Sequence, residues 1–345
     1  MNEPGAGGAS AAPQLTVIIP TLDEAAGLPR LLAQLRAQRG IALEIIAADG
    51  GSTDGTPQIS AAAGARAITS PRGRGRQMNA GAAAARAETL LFLHADSQLE
   101  TPNLLADAFA ALHRAVAETG GSRIAGHWPL HFTAYPPQAA PFYRHLEGKT
   151  ALNRPYTING DQGLLISARW FRELGSYDER LPFLEDQRMA AKIFAQGRWL
   201  LLPGRLATSA RRFEAEGRRE RYTLMALIMG LHAAGADEFF AQAPAIYAAQ
   251  RETGRLDLAP FLSAIRETLR QRGRLATLCR AGRFVRENTW QLFYWRDQRH
   301  SAAGLPRLRF YDRYLHRLTQ NPLADVLATL LLSLWFYLWL PLTRR

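Results

Sequence analysis

A chain of 345 residues that is 47% hydrophobic can build one large core or two modest ones, which excludes intrinsic disorder, collagen-like repeats and a small stapled scaffold. Its one cysteine, Cys279, excludes an internal disulfide and a cysteine-built zinc site, and points to a reducing compartment. The formal charge is +12, and apart from Lys149 and Lys192 every basic residue is an arginine, a surface that suits phosphates, nucleic acid or anionic lipid but also follows from a GC-rich coding sequence alone.

Residues 1–13 are mainly Gly, Ala, Pro and Ser with no basic start and no apolar stretch, so they read as a disordered lead-in and not as a signal for export. Short apolar runs then alternate with longer amphipathic ones, the pattern of an α/β protein whose mainly parallel sheet is flanked by helices. Strands are expected at Leu15–Pro20, Leu43–Asp49, Arg66–Thr69 and Leu90–His94, with helices at Gly27–Arg39, Gln58–Gly64 and Gln77–Ala87 between them. Further strands are expected at Ile124–Pro129, Gly163–Ser167 and Trp199–Leu202, the last two separated by a helix at Glu185–Gln196. This α/β domain is expected to run over 14–217. From about Arg218 the texture becomes helical, giving a helical C-terminal extension over 218–320 and an apolar helix over 321–345. Within the latter, Val326–Leu342 is a 17-residue run without charge, flanked by Arg313, Arg317, Arg344 and Arg345. As a helix it would be about 26 Å long, so it fits membrane insertion, a monotopic membrane anchor, or a helix buried in a core or dimer seam.

In an open parallel sheet, ligands bind beyond the carboxyl ends of the strands. Here those ends are acidic: Pro20-Thr21-Leu22-Asp23-Glu24, then Asp49-Gly50-Gly51-Ser52, then His94-Ala95-Asp96-Ser97. Each set alone also fits helix capping, but three successive strand ends together point to a ligand site. Between the third and fourth strands, the Arg and Gly loop from Pro71 to Arg76 leads into a helix and suits phosphate oxygens, a solvated turn or an RNA tract.

The strings VIIPTLDE (17–24), IIAADGGSTDGT (45–56), GRGRQMNAGAAAA (73–85), LFLHADS (91–97) and FLEDQRMAAKI (183–193) resemble a family-2, inverting glycosyltransferase of the GT-A fold. Together with GDQG (160–163) and TSARRF (208–213) they resemble the bacterial radical-SAM/selenodomain-associated transferases. The resemblance implies an enzyme that moves a sugar from a nucleoside-diphosphate donor to a hydroxyl acceptor, lipid-linked in one version; the apolar C-terminal run adds the expectation of the cytoplasmic membrane face, and the Arg and Gly loop, lying inside the αβ pattern without repetition, that of no nucleic-acid partner. It implies Mn²⁺ or Mg²⁺ as cofactor, held by Asp96, while His94, at the first position of the family's Asp-x-Asp, is either a second metal ligand or a hydrogen-bonded structural residue. It places the nucleotide-sugar against Pro20, Leu22, Glu24, Asp49, Arg76 and Asp96, and the acceptor near Asp161 and Gln162. Arg211 and Arg212 would meet the diphosphate, Asp186 would be the general base, and Glu185 would orient that base or an acceptor hydroxyl. A nucleotidyltransferase with a similar sheet, or a catalytically idle nucleotide-binding or membrane-scaffold module, are the alternatives.

Overall fold

The computed structural model describes residues 12–250, 254–300 and 304–342; the lead-in over 1–11 and the terminal pair Arg344 and Arg345 lie outside the described residues. The chain divides into two compact units, Met1–Ala210 and Arg211–Arg345.

Among the described residues of the first unit, ten strands form two sheets. They are β1 (Leu15–Thr21), β2 (Leu43–Asp49), β3 (Arg66–Thr69), β4 (Thr89–Phe92), β5 (Gln98–Leu99), β6 (Ile124–His127), β7 (Leu130–Thr133), β8 (Leu164–Ser167), β9 (Arg198–Leu201) and β10 (Leu206–Ser209). The large sheet has the order β3-β2-β1-β4-β8-β6-β9, and the small one β5-β10-β7. Pairing is parallel from β3 to β4 and between β6 and β9, while β8 runs antiparallel to both neighbours. The α/β class and the mainly parallel sheet are therefore as the sequence patterning indicates.

Both faces of β1 are covered, and its alternation sorts the core. Leu15, Val17 and Ile19 join the cluster under α1 (Leu28–Arg36) and α4 (Leu104–Thr119), whereas Ile18 joins the opposite cluster. The helix α2 (Thr56–Ala62) follows β2, α3 (Arg74–Ala84) follows β3, and α5 (Ala140–Thr150), α6 (Ala168–Glu173) and α7 (Glu185–Gln196) complete the unit. Helix α3 starts three residues earlier than the patterning indicates, so Arg74 and Arg76 lie on its first turn and not in a loop. The approach of α3 to β1 needs Gly81, where a Cβ would lie 2.4 Å from Ile18 Cγ2.

Register brings the functional segments to one edge. Thr21 pairs with Asp49 and Ile18 with Phe92, so β1, β2 and β4 finish near one another. Because β8 enters from that same edge, with Leu164 opposite Phe92, the turn at residues 160–163 sits beside the segment that leaves β4.

The second unit is helical throughout its described secondary structure: α8 (Arg211–Glu216), α9 (Arg218–Ala233), α10 (Asp237–Ala248), α11 (Ala259–Arg272), α12 (Arg274–Glu287), α13 (Trp290–Arg299), α14 (Pro306–Phe310), α15 (His316–Leu318) and α16 (Pro322–Leu334). Helix α16 continues through a π turn to give an apolar helix of 21 residues, Pro322–Leu342, long and apolar enough to cross a membrane. It begins four residues before the uncharged run because Asn321 caps it, accepting the Ala324 amide, and Pro322 occupies the first turn. Gly282 of α12 lies against Thr329 of α16 so closely that a Cβ would sit 2.3 Å from its hydroxyl.

Candidate active site

Five short segments build the site: the loop after β2, the first turn of α3, the residues after β4, and the two turns at 159–162 and 184–187. The loop after β2 is held by Asp49. Its carboxylate accepts the amides of Gly51 and Ser52 (2.9 Å each) and the hydroxyls of Ser52 and Thr21. Burial pushes this carboxyl up, yet the bonds from Ser52, Gly51 and Thr21 outweigh burial and hold it below its ordinary value. All four acceptor directions are thus in use within the chain. Pro20 and Leu22 are partly exposed beside this loop. The backbone of Glu24 is fixed by Thr56 Oγ1, and its side chain reaches towards Gly27 at the start of α1.

The string GRGRQMNAG is mostly scaffolding. Gln77 donates from its amide to the carbonyls of Thr21 (2.7 Å) and Ala48 (2.8 Å), tying the ends of β1 and β2. Asn79 bonds the Tyr177 backbone in both directions at 3.0 Å. Gly75 packs against the Asp178 carbonyl. Arg76 is exposed, whereas Arg74, which sequence reasoning passed over, turns inward and forms a short ion pair with Glu185. Glu185 is 1% exposed, and its Oε2 has no hydrogen-bond partner among the described residues. Burial pulls the Arg74 guanidinium down, but the Glu185, Asp186 and Asp161 carboxylates raise it well above its ordinary value. Three arginines at alternate positions, 72, 74 and 76, are equivalent as text; only the start of α3 at Arg74 selects the one that faces α7.

Asp186 lies on the first turn of α7, after Leu184 in a left-handed conformation. Its Oδ2 accepts the Gly160 amide (2.7 Å) and its Oδ1 the Gln187 amide (2.8 Å). Each oxygen keeps a lone-pair direction free while the carboxylate is fixed in orientation. Nearby, the Tyr177 phenol is raised well above its ordinary value by burial and then by Glu185 and Asp186, so it stays neutral.

His94 Nδ1 and Asp161 Oδ1 are 2.8 Å apart. Burial pulls this imidazole down, but the Asp161 hydrogen bond together with the Asp161 and Asp96 charges outweighs burial and the opposing Arg74, leaving it above 6.5. On its far side the ring abuts Gly160, where a Cβ would lie 2.6 Å from Nε2. His94 thus locks the turn at 160–162. With Nδ1 bonded to Asp161 and Nε2 beside Gly160, the ring has the hydrogen-bonded structural role that its place after a strand also allowed. Asp96 is exposed and makes no hydrogen bond or ion pair among the described residues. No group of three ligand-type side chains is assembled among those residues. A carboxylate of this kind suits a hard cation that takes its remaining oxygens from substrate phosphates and water.

Gln162 is wholly buried. Its amide donates to His127 Nδ1 (2.8 Å) and to the carbonyls of Trp128 and Thr150, while its carbonyl accepts from Asn159, so it holds the turn from inside and faces no acceptor. Asp161 is half-exposed at the surface. Arg211 and Arg212 open α8 in the second unit. There they line a cavity of about 330 Å³ together with Glu216, Tyr247 and Arg255.

Residues 16–174 match the family model described as Glycosyl transferase family 2. Uncharacterized glycosyltransferases of Mycobacterium bovis and of Mycobacterium tuberculosis are each 32% identical over 119 residues, which cover 33% of this chain and 52% of theirs. The chain therefore spans about half the length of the curated relatives it matches. Among solved structures, S. aureus TarS 1–349 in complex with UDP aligns over 87% of this chain and 91% of its own, at 17% identity and a TM-score of 0.48. The mannosyltransferase PcManGT from Pyrobaculum calidifontis, in complex with GDP-Man and Mn²⁺, aligns over 95% and 89%, at 18% identity and a TM-score of 0.44.

Proposed function

We propose, from the match of residues 16–174 to the glycosyl transferase family 2 model, that the protein is an inverting glycosyltransferase that takes a sugar from a nucleoside diphosphate and delivers it to a hydroxyl acceptor at a membrane surface. The observation that carries the reading is the fixed Asp186 carboxylate, set by two backbone amides beside the Arg74–Glu185 pair and the His94–Asp161 pair, with Asp96 left free on the adjoining segment.

In this reading the acceptor hydroxyl loses its proton to Asp186 as its oxygen attacks the anomeric carbon. The bond from that carbon to the diphosphate breaks, and configuration inverts because attack and departure occupy opposite faces. Glu185, neutralised by Arg74, keeps Asp186 in place through the first turn of α7. Asp161, paired with His94, would meet a second acceptor hydroxyl. Asp96 would hold Mn²⁺ or Mg²⁺, which when bound offsets the charge growing on the departing diphosphate. A single protein carboxylate implies that metal and donor bind together, so Mn²⁺ without nucleotide should bind weakly.

Membrane placement is supported by the bare outer face of Pro322–Leu342, where Leu327, Leu330, Leu334 and Leu338 are each more than half exposed. It is also supported by charge. Residues 211–345 hold 22 basic and 12 acidic residues, a surplus of ten out of the chain's twelve.

The test is release of nucleoside diphosphate from a panel of nucleotide-sugars with Mn²⁺. Asp186→Asn should lower turnover about a hundredfold or more while leaving donor affinity within about twofold. Full turnover in that variant, or pyrophosphate as the product from a nucleoside triphosphate, would reject the assignment.

A further inference from the structure

We infer that the helical unit holds a site for one hydrocarbon chain of an anionic membrane lipid, in an apolar cavity between α9, α11, α12 and the helix Pro322–Leu342. The cavity measures about 330 Å³ and is walled by Leu227 and Leu231 of α9, Leu269 of α11, Phe284 of α12, and Leu332 and Phe336 of the last helix. Its only side-chain hydroxyl is that of Thr277, which already donates to the Gly273 carbonyl at 3.2 Å. Apart from the Trp335 indole N–H at its edge, the lining is otherwise apolar, which suits a hydrocarbon occupant.

Three features identify the occupant as lipid. First, one wall is the helix that is long and apolar enough to cross a membrane, and only 22% of its apolar window is buried, so the cavity wall continues into a face already bare to its surroundings. Second, the guanidinium of Arg266 lies 5.8 Å from the centroid of Phe336, a wall residue, and that of Arg219 lies 5.9 Å from Trp339, one turn further on. Neither arginine is ion-paired among the described residues, so both are available to a phosphate headgroup. Third, a second copy of the chain would bring the same ten-charge surplus against this one, whereas an anionic lipid neutralises it.

The site deepens the membrane placement proposed above and rests on it, yet it makes a separate claim: a chain leaves the bilayer and enters the protein. The experiment uses the full-length protein and phosphatidylglycerol vesicles carrying a diazirine in one acyl chain, with photolabelled peptides mapped by mass spectrometry. Label is expected on the α9 and α12 wall, at Leu231 and Phe284, as well as on the outward residues of the last helix. Ala281→Phe, which fills the cavity from α12, should reduce wall labelling at least fivefold while the fraction of protein that co-sediments with vesicles is unchanged. Ala226→Phe, at the exposed rim, repeats the test should the first variant fold poorly. Arg266→Gln should reduce the preference for phosphatidylglycerol over phosphatidylcholine in wall labelling by at least twofold. Label confined to outward residues, or wall labelling indifferent to both cavity-filling variants, overturns the lipid site while leaving membrane placement intact. Absence of co-sedimentation overturns both, and neither result bears on turnover by Asp186.

Discussion

Arg74 and Glu185 are separated by 111 residues in the chain and meet as a short ion pair, with the carboxylate wholly buried and the guanidinium about a third exposed. Removing one partner strands the other charge. Loss of a fully buried pair member costs about 3 to 5 kcal/mol, and the partial exposure of Arg74 lowers the expectation for Arg74→Met to about 2 kcal/mol, read from urea unfolding. The double variant Arg74→Met with Glu185→Met should recover most of that loss, since no charge is then left unpaired. A second residue-scale prediction concerns Glu44, which accepts from Thr16 Oγ1 (2.7 Å) and from the Arg86 amide (2.8 Å) and guanidinium (2.7 Å). Burial raises this carboxyl, but the Arg86 and Thr16 bonds win and lower it from 4.5. A carboxylate lowered on folding stabilises above its unfolded value and loses that contribution as pH falls through its folded value. The stability gap between the protein and Glu44→Gln should accordingly be widest above about pH 5 and close as the solution is acidified below about pH 4.

Among the elements, legibility followed length and burial. Strands β1 and β2 are long apolar runs covered on both faces, and α7 was marked by Pro182 and its acidic first turn, so their bounds could be read within a residue. Strands β5, β7 and β10 have two to four residues each and pair only in the small sheet, outside the alternation of strand and helix that marked the equally short β3. The acidic strand ends announced a site, but which arginine would face α7, and that His94 and Gln162 would lock one turn from its two sides, depends on pairings across 67 and 35 residues that no local pattern encodes. Glycines mark where elements touch. Gly81→Val should push α3 off β1, destabilising by about 1 to 3 kcal/mol in thermal or urea unfolding. Gly160→Ala meets His94 at 2.6 Å and should displace the turn that feeds Asp186 its amide, lowering kcat more than tenfold with donor affinity within about threefold, as measured by initial rates and nucleotide titration.

At the scale of the whole molecule, residues 1–210 are close to neutral, with 20 basic against 18 acidic residues, while the helical unit is strongly cationic. Composition alone gave the total of +12 without this division, which needs the boundary at Ala210. Attraction of the helical unit to anionic vesicles should weaken steeply with salt, because the Debye length falls from about 10 Å at 0.1 M to about 3 Å at 1 M. Co-sedimentation with phosphatidylglycerol vesicles is expected to drop at least tenfold over that range. Indifference to salt would assign binding to the apolar helix alone. The reversal of β8 sets how such a protein can diversify. Since β8 arrives at the edge that its neighbours leave, one rim is encoded by two kinds of connection: departures from β1, β2 and β4, and the arrival at residues 160–163. On the proposed reading, insertions in the arriving connection retune what is modified without disturbing what is consumed, so the two specificities can evolve as independent traits.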